Sequence, residues 1–175
     1  MKLYNLEFFD KDFNYVGSQQ VGEFSAEYDY LSPTINKINL IKETNVQINN
    51  LMLITRIDGT EQYPGIVTDV KLTNKVKQIN FKPLISIFDV DVVKGEVSTI
   101  EQWIKSKIDD TFVENDDELQ NYQMVVNTHT TTVGTLDKDD YIVNLYEEIV
   151  YVLKKYSIFI EMQLDMANKR IVVDI

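Results

Sequence analysis

Three groups of residues are of a type and spacing that chemistry can use. His129, the single histidine, lies in the run NTHTTT. No second histidine and no cysteine accompanies it, so one chain cannot build a His- or Cys-based zinc site around it. An Asp–His–Ser relay would need an acid and a hydroxyl delivered by other parts of the chain. The plainer reading is an exposed or half-buried strand residue. Asp89 and Asp91, in FDVDV, are two apart. On a strand they share a face, where paired carboxylates can hold Mg²⁺ or exchange protons. The plainer reading leaves both in water opposite Phe88, Val90 and Val92. Asp137, Lys138, Asp139 and Asp140 have the composition of a calcium loop but lack its glycine and closing acid. The expectation is a non-enzymatic chain, with no catalytic, cofactor-binding or metal-binding residue and no cofactor.

Other chemical signatures are absent from the sequence. The glycines at 17, 22, 59, 65, 95 and 134 are isolated, so none forms a phosphate-binding loop. There is no GxSxG elbow. Without cysteine there is no disulfide, thiolate site or cysteine nucleophile. Aromatic content stands out instead, with ten Tyr and eight Phe. Tyr28 and Tyr30 fall on one face of an extended run, and Tyr is favoured at interfaces. They are interface candidates, together with Met124 and Val126 on a later strand.

Hydrophobic period sets the elements that must position these residues. Leu3–Phe9 and Tyr15–Gly17 flank the polar turn DKDFN and read as a hairpin. Phe24–Tyr30 and Lys37–Glu43 read as extended. Leu51–Ile57 ends at Asp58–Gly59, Tyr63–Leu72 ends at Asn74–Lys75, and Val76–Phe81 returns. These form a three-stranded meander. Ser98 or Thr99 starts a helix through Ile100, Trp103, Ile104 and Ile108, with Glu101 or Gln102 as a capping-box partner. Tyr122–Val133 reads as a strand.

Ile142, Leu145, Ile149, Val152, Leu153 and Tyr156 form a helical stripe that Asp139 or Asp140 can cap. Residues 158–164 and 171–175 then alternate around the turn MANK, so the helix feeds a hairpin that it is placed to cover. The last strand runs to the final residue, which suggests a pairing partner beyond it or a longer parent chain. The expected fold is α+β: a β-barrel-like antiparallel sheet domain over 1–95, then a small α/β domain over 96–175 with two helices and a C-terminal β-hairpin.

The chain has 175 residues, 44% hydrophobic and 26% charged, with a formal charge of −11. That charge disfavours generic binding to nucleic acid or anionic lipid. No run of about 18 apolar residues offers a membrane span. The N-terminus lacks the apolar run of a signal peptide.

Three stretches resemble one family. YNLEFFDKDFNYVG is similar to its opening strand–turn–strand. GIVTDVKLTNKVKQINFKPLISIFDVDV is similar to its hairpin, leucine-rich turn and short strand. YIVNLYEEIVYVLKKYSIFIEMQLDMANKRIVVDI is similar to its helix and hairpin. On these stretches the chain resembles the tail-hub or baseplate proteins of bacteriophages and prophages. The resemblance implies a structural role at the tail tip, with β-barrel domains and an α/β insertion. The implied partners are tail or baseplate proteins, including a homo-oligomeric ring. The implied location is the virion tail, and the host cytoplasm during assembly. Hubs of that family usually run on past the point where this sequence stops.

Overall fold

The computed structural model describes residues 3–22, 27, 34–41, 44–73, 76–114 and 122–175. The chain forms two compact units, Met1–Ser86 and Ile87–Ile175.

The first unit is one six-stranded sheet. Its strands are β1 (Tyr4–Phe9), β2 (Tyr15–Val21), β3 (Asn36–Ile41), β4 (Leu51–Arg56), β5 (Gln62–Leu72) and β6 (Val76–Pro83). Their order is β2-β1-β4-β5-β6-β3, and every described pairing is antiparallel. The sheet curls into a half-barrel. Its two edge strands meet where the Ile41 N–H on β3 donates to Gln19 Oε1 on β2 at 2.7 Å. An inward row of Leu6, Phe8, Leu40, Met52, Ile54, Ile79 and Phe81 fills the curl. These residues obey the period of two that makes one strand face apolar. The β1–β2 turn is set by Asp10, whose carboxylate accepts from the N–H groups of Asp12 and Asn14, both at 2.9 Å. Thr68 is bulged out of the β5–β6 ladder, where the register shifts between Val67 and Asp69. The extended run expected at 24–30, with Tyr28 and Tyr30, lies outside the described residues.

The second unit opens with the end of a 3-10 turn (Leu84–Phe88), followed by β7 (Asp91–Val93). Helix α1 (Ile100–Ile108) continues into a π-helical turn, Asp109–Val113. Next come β8 (Met124–Asn127), β9 (Ile142–Asn144), helix α2 (Leu145–Tyr156), β10 (Glu161–Asp165) and β11 (Arg170–Asp174). The β10–β11 hairpin is antiparallel, and β8 adds to β11 in parallel. β7 and β9 form a separate antiparallel ribbon. Helix α1 contacts both α2 and β8. Trp103 is buried on α1, and its indole N–H donates to Lys94 O at 2.7 Å.

Several local readings are corrected here. The strand expected over Tyr122–Val133 is only four residues long, because β11 offers just Ile171–Asp174 as register partners. Ile142 has helical spacing but pairs with Val93 in the ribbon, so α2 starts three residues later. Its cap is therefore Asn144, whose side chain accepts from the Glu147 N–H, and not Asp139 or Asp140. Glu101 is not a capping-box acid. It is fully buried, and the N-cap Thr99 makes no side-chain cap bond. Residues 158–160 precede the hairpin ladder, which begins at the Glu161–Asp174 pair.

Candidate functional site

Residues 128–141 connect β8 to β9 without regular structure. A connection of that length inside a compact unit is uncommon unless it serves a purpose. Glu101, Glu148 and Tyr156 are among the side chains that fix it in place. From α1, Glu101 accepts from Thr130 Oγ1 at 2.8 Å, Thr132 Oγ1 at 2.6 Å and the Thr132 N–H at 2.7 Å. From α2, Glu148 accepts from the N–H groups of Asp137 (2.8 Å) and Lys138 (3.2 Å). Also from α2, Tyr156 Oη accepts from the Thr135 N–H at 2.7 Å and donates to Thr135 O at 3.1 Å. Gly134 leaves room for that ring, since a Cβ there would lie 2.5 Å from Tyr156 Cζ.

Both glutamates are buried, at 0% and 1% exposure. A buried carboxylate is costly unless hydrogen bonds satisfy it. Burial alone would raise the Glu101 pKa, but the bonds from Thr132 and Thr130 outweigh it and hold the pKa below the ordinary value. Hydrogen bonds from Thr135, with Lys155 nearby, likewise lower the Tyr156 phenol.

This connection forms one wall of a groove of about 810 Å³ at the end of the three-stranded sheet. His129, Thr130 and Thr132 line that wall. The segment from Tyr156 to Phe159 lines the other, with Ile175 between them. The turn into that second wall is made by Ser157 in the left-handed region at φ 54°. Phe159 is 71% exposed. Glu161 and Asp174 complete the lining, and they stand directly opposite each other in the β10–β11 ladder. His129 Nε2 lies 3.1 Å from Asp174 Oδ1, which also accepts from Asn127 Nδ2 at 2.9 Å. The bonds from Asn127 and His129 lower the Asp174 pKa despite partial burial.

The histidine therefore has an acid partner, and that partner comes from β11. Asp89 and Asp91 do not join it. Both are exposed, and Asp89 precedes β7 and accepts from Asn144 Nδ2 at 3.1 Å. Asp137, Asp139 and Asp140 are exposed as well, and Asp139 pairs with Lys94. Among the described residues, no group of three or more His, Asp or Glu is arranged to hold a metal ion. Met124 and Val126 are 6% and 5% exposed, so both side chains belong to the interior of their unit and not to its surface. Tyr28 and Tyr30 fall outside the described residues. No described helix is long and apolar enough to cross a membrane.

Sequence reasoning missed Glu148 and read Glu101 only as a capping-box candidate, not as a buried acid. The signal was present: Glu101 lies three and seven residues from Ile104 and Ile108, and Glu148 lies on the stripe of Leu145 and Val152. A charge on an apolar stripe needs a partner. No protein-family model significantly matches this chain, and neither does any curated protein or solved structure.

Proposed function

We propose that this chain is a structural component of a phage or prophage tail tip, a hub or baseplate protein that acts through protein–protein assembly. The sequence resemblance motivates the reading, and one structural observation supports an assembly role. Among the described residues, the β7–β9 ribbon has two strands. Its Val92–Val143 pair is buried, while the Val93–Ile142 pair is 47% and 58% exposed. Tyr141, next in the chain, is 74% exposed. A cross-strand apolar pair beside an exposed aromatic, on a ribbon with two described strands, is a surface suited to covering by another subunit. A chain carrying −11 gains little from exposing such side chains unless a partner buries them.

The test is the oligomeric state of the purified chain, by light scattering and negative-stain imaging. Closed rings or a defined oligomer are expected, and Ile142→Lys should convert them to monomer. A stable monomer at all concentrations would instead favour an accessory module that binds a single partner. Oligomers indifferent to Ile142→Lys would remove the ribbon from the interface.

A further inference from the structure

The groove in the second unit has features that its structural role leaves unused. Glu161 and Asp174 are cross-strand neighbours on one face of the hairpin. Like charges directly opposite each other in a ladder are destabilising. No Lys or Arg lines the groove to offset them. Five described bases of this unit pair with other acids: Lys94 with Asp139, Lys105 with Asp109, Lys107 with Asp110, Lys138 with Glu147, and Arg170 with Asp165. Lys155 is held by Tyr151 Oη and Thr135 Oγ1 and lies over the Tyr156 ring. Among the described residues that line the groove, His129 is the one cation-capable side chain, and it pairs with Asp174. Beside the acids, Phe159 stands largely in solvent. Residues 158–160 run ahead of the ladder without a strand partner in it.

We infer that this groove binds an extended, basic segment of a partner protein, whose Lys or Arg side chain lies over Glu161 and Asp174 while its backbone runs along residues 158–160. The partner's cation removes the repulsion between the two carboxylates, and a charge-assisted bond to them is stronger than a neutral one. Phe159 and Ile158 supply the apolar flank that holds the residues either side of the cation. Arg suits the site better than Lys, because its planar fork can bridge two carboxylates and stack on the Phe159 ring. This surface is separate from the β7–β9 ribbon of the assembly proposal, which it extends by naming a partner chemistry.

The experiment is a titration of the isotope-labelled full chain followed by amide chemical shifts. The probes are the blocked peptide Val-Arg-Val, its Val-Gln-Val counterpart and free arginine amide. The arginine peptide is expected to shift the amides of residues 158–161 and 174 saturably, and the glutamine peptide to bind about tenfold more weakly. Glu161→Gln, at an exposed position, should abolish that preference, and Phe159→Ser should weaken both peptides. Equal binding of the two peptides, shifts elsewhere, or no saturable shift would overturn the inference. Free arginine amide binding as well as the peptide would overturn the extended segment. Concentration-dependent shifts without peptide, lost in Glu161→Gln, would make a second copy the occupant and overturn the foreign partner. Failure here with intact rings leaves the assembly reading standing. Peptide binding by a strict monomer removes the assembly reading alone.

Discussion

Glu101 and Glu148 each bring a carboxylate into the interior of the second unit, and each turns it on the same irregular connection. Their partners are backbone N–H groups and threonine hydroxyls rather than cations. At Glu101 the bond set favours the ionised carboxylate, so it should make stability depend on pH. The folded pKa of Glu101 lies below its ordinary value of 4.5. Its contribution is thus complete above that ordinary value and is lost as pH falls through the lower folded one. Glu101→Gln keeps the shape but replaces one acceptor oxygen with a donor, so some of the bonds from Thr130 and Thr132 cannot form. The expected cost at neutral pH is about 1–3 kcal/mol. The deficit relative to the native chain should shrink in strong acid, where the native chain also loses the charge. Trp103, the single tryptophan, sits two residues away and is buried, so its fluorescence during urea denaturation reads this region directly. A deficit that stays constant with pH would show that Glu101 acts by shape alone. At this scale the sequence displayed the acid on the apolar stripe but not its partners, because the threonines lie 29 and 31 positions further along the chain.

Elements were legible where their pairing is local. The meander β4–β5–β6 follows from alternation and turn residues, since each strand pairs with the next one in the chain. β1 pairs with β4 and β3 with β6, and no local pattern announces those neighbours. The same divide explains α2. Leu145, Ile149 and Val152 mark its buried face, yet the extra turn suggested by Ile142 is taken by the ribbon, where Asp91–Val93 supplies a ladder. Asn144 stands at the change of structure. Its side-chain oxygen accepts from the Glu147 N–H, and its amide donates to Asp89. Asn144→Ala is expected to cost about 1 kcal/mol through the lost cap. Asp89→Ala, which removes only the exposed partner, should cost less. Thermal denaturation followed by far-ultraviolet circular dichroism separates the two. Equal losses would show that the Asn144–Asp89 bond, rather than the cap, is what holds the start of α2.

At the scale of the whole molecule, charge and apolar surface oppose each other. With a formal charge of −11, copies of the chain repel at low ionic strength. The repulsion fades once the Debye length falls to about 8 Å near 0.15 M salt. Burial of the Val93–Ile142 pair and Tyr141 does not weaken under those conditions, because apolar association does not depend on unlike charges. Self-assembly through the ribbon is therefore expected to strengthen as NaCl is raised. Binding of a cationic peptide at Glu161 and Asp174 should weaken over the same range, since it draws on charge attraction that salt screens. Sedimentation velocity along a salt series measures the first, and the arginine-peptide titration along the same series measures the second. Opposite slopes are the signature of two separate surfaces, one apolar and one acidic. If both associations fall with salt, the assembly contact is itself electrostatic. The ribbon would then be the wrong surface, and the subunit contact would have to lie at a patch where the chain presents charge to its neighbour.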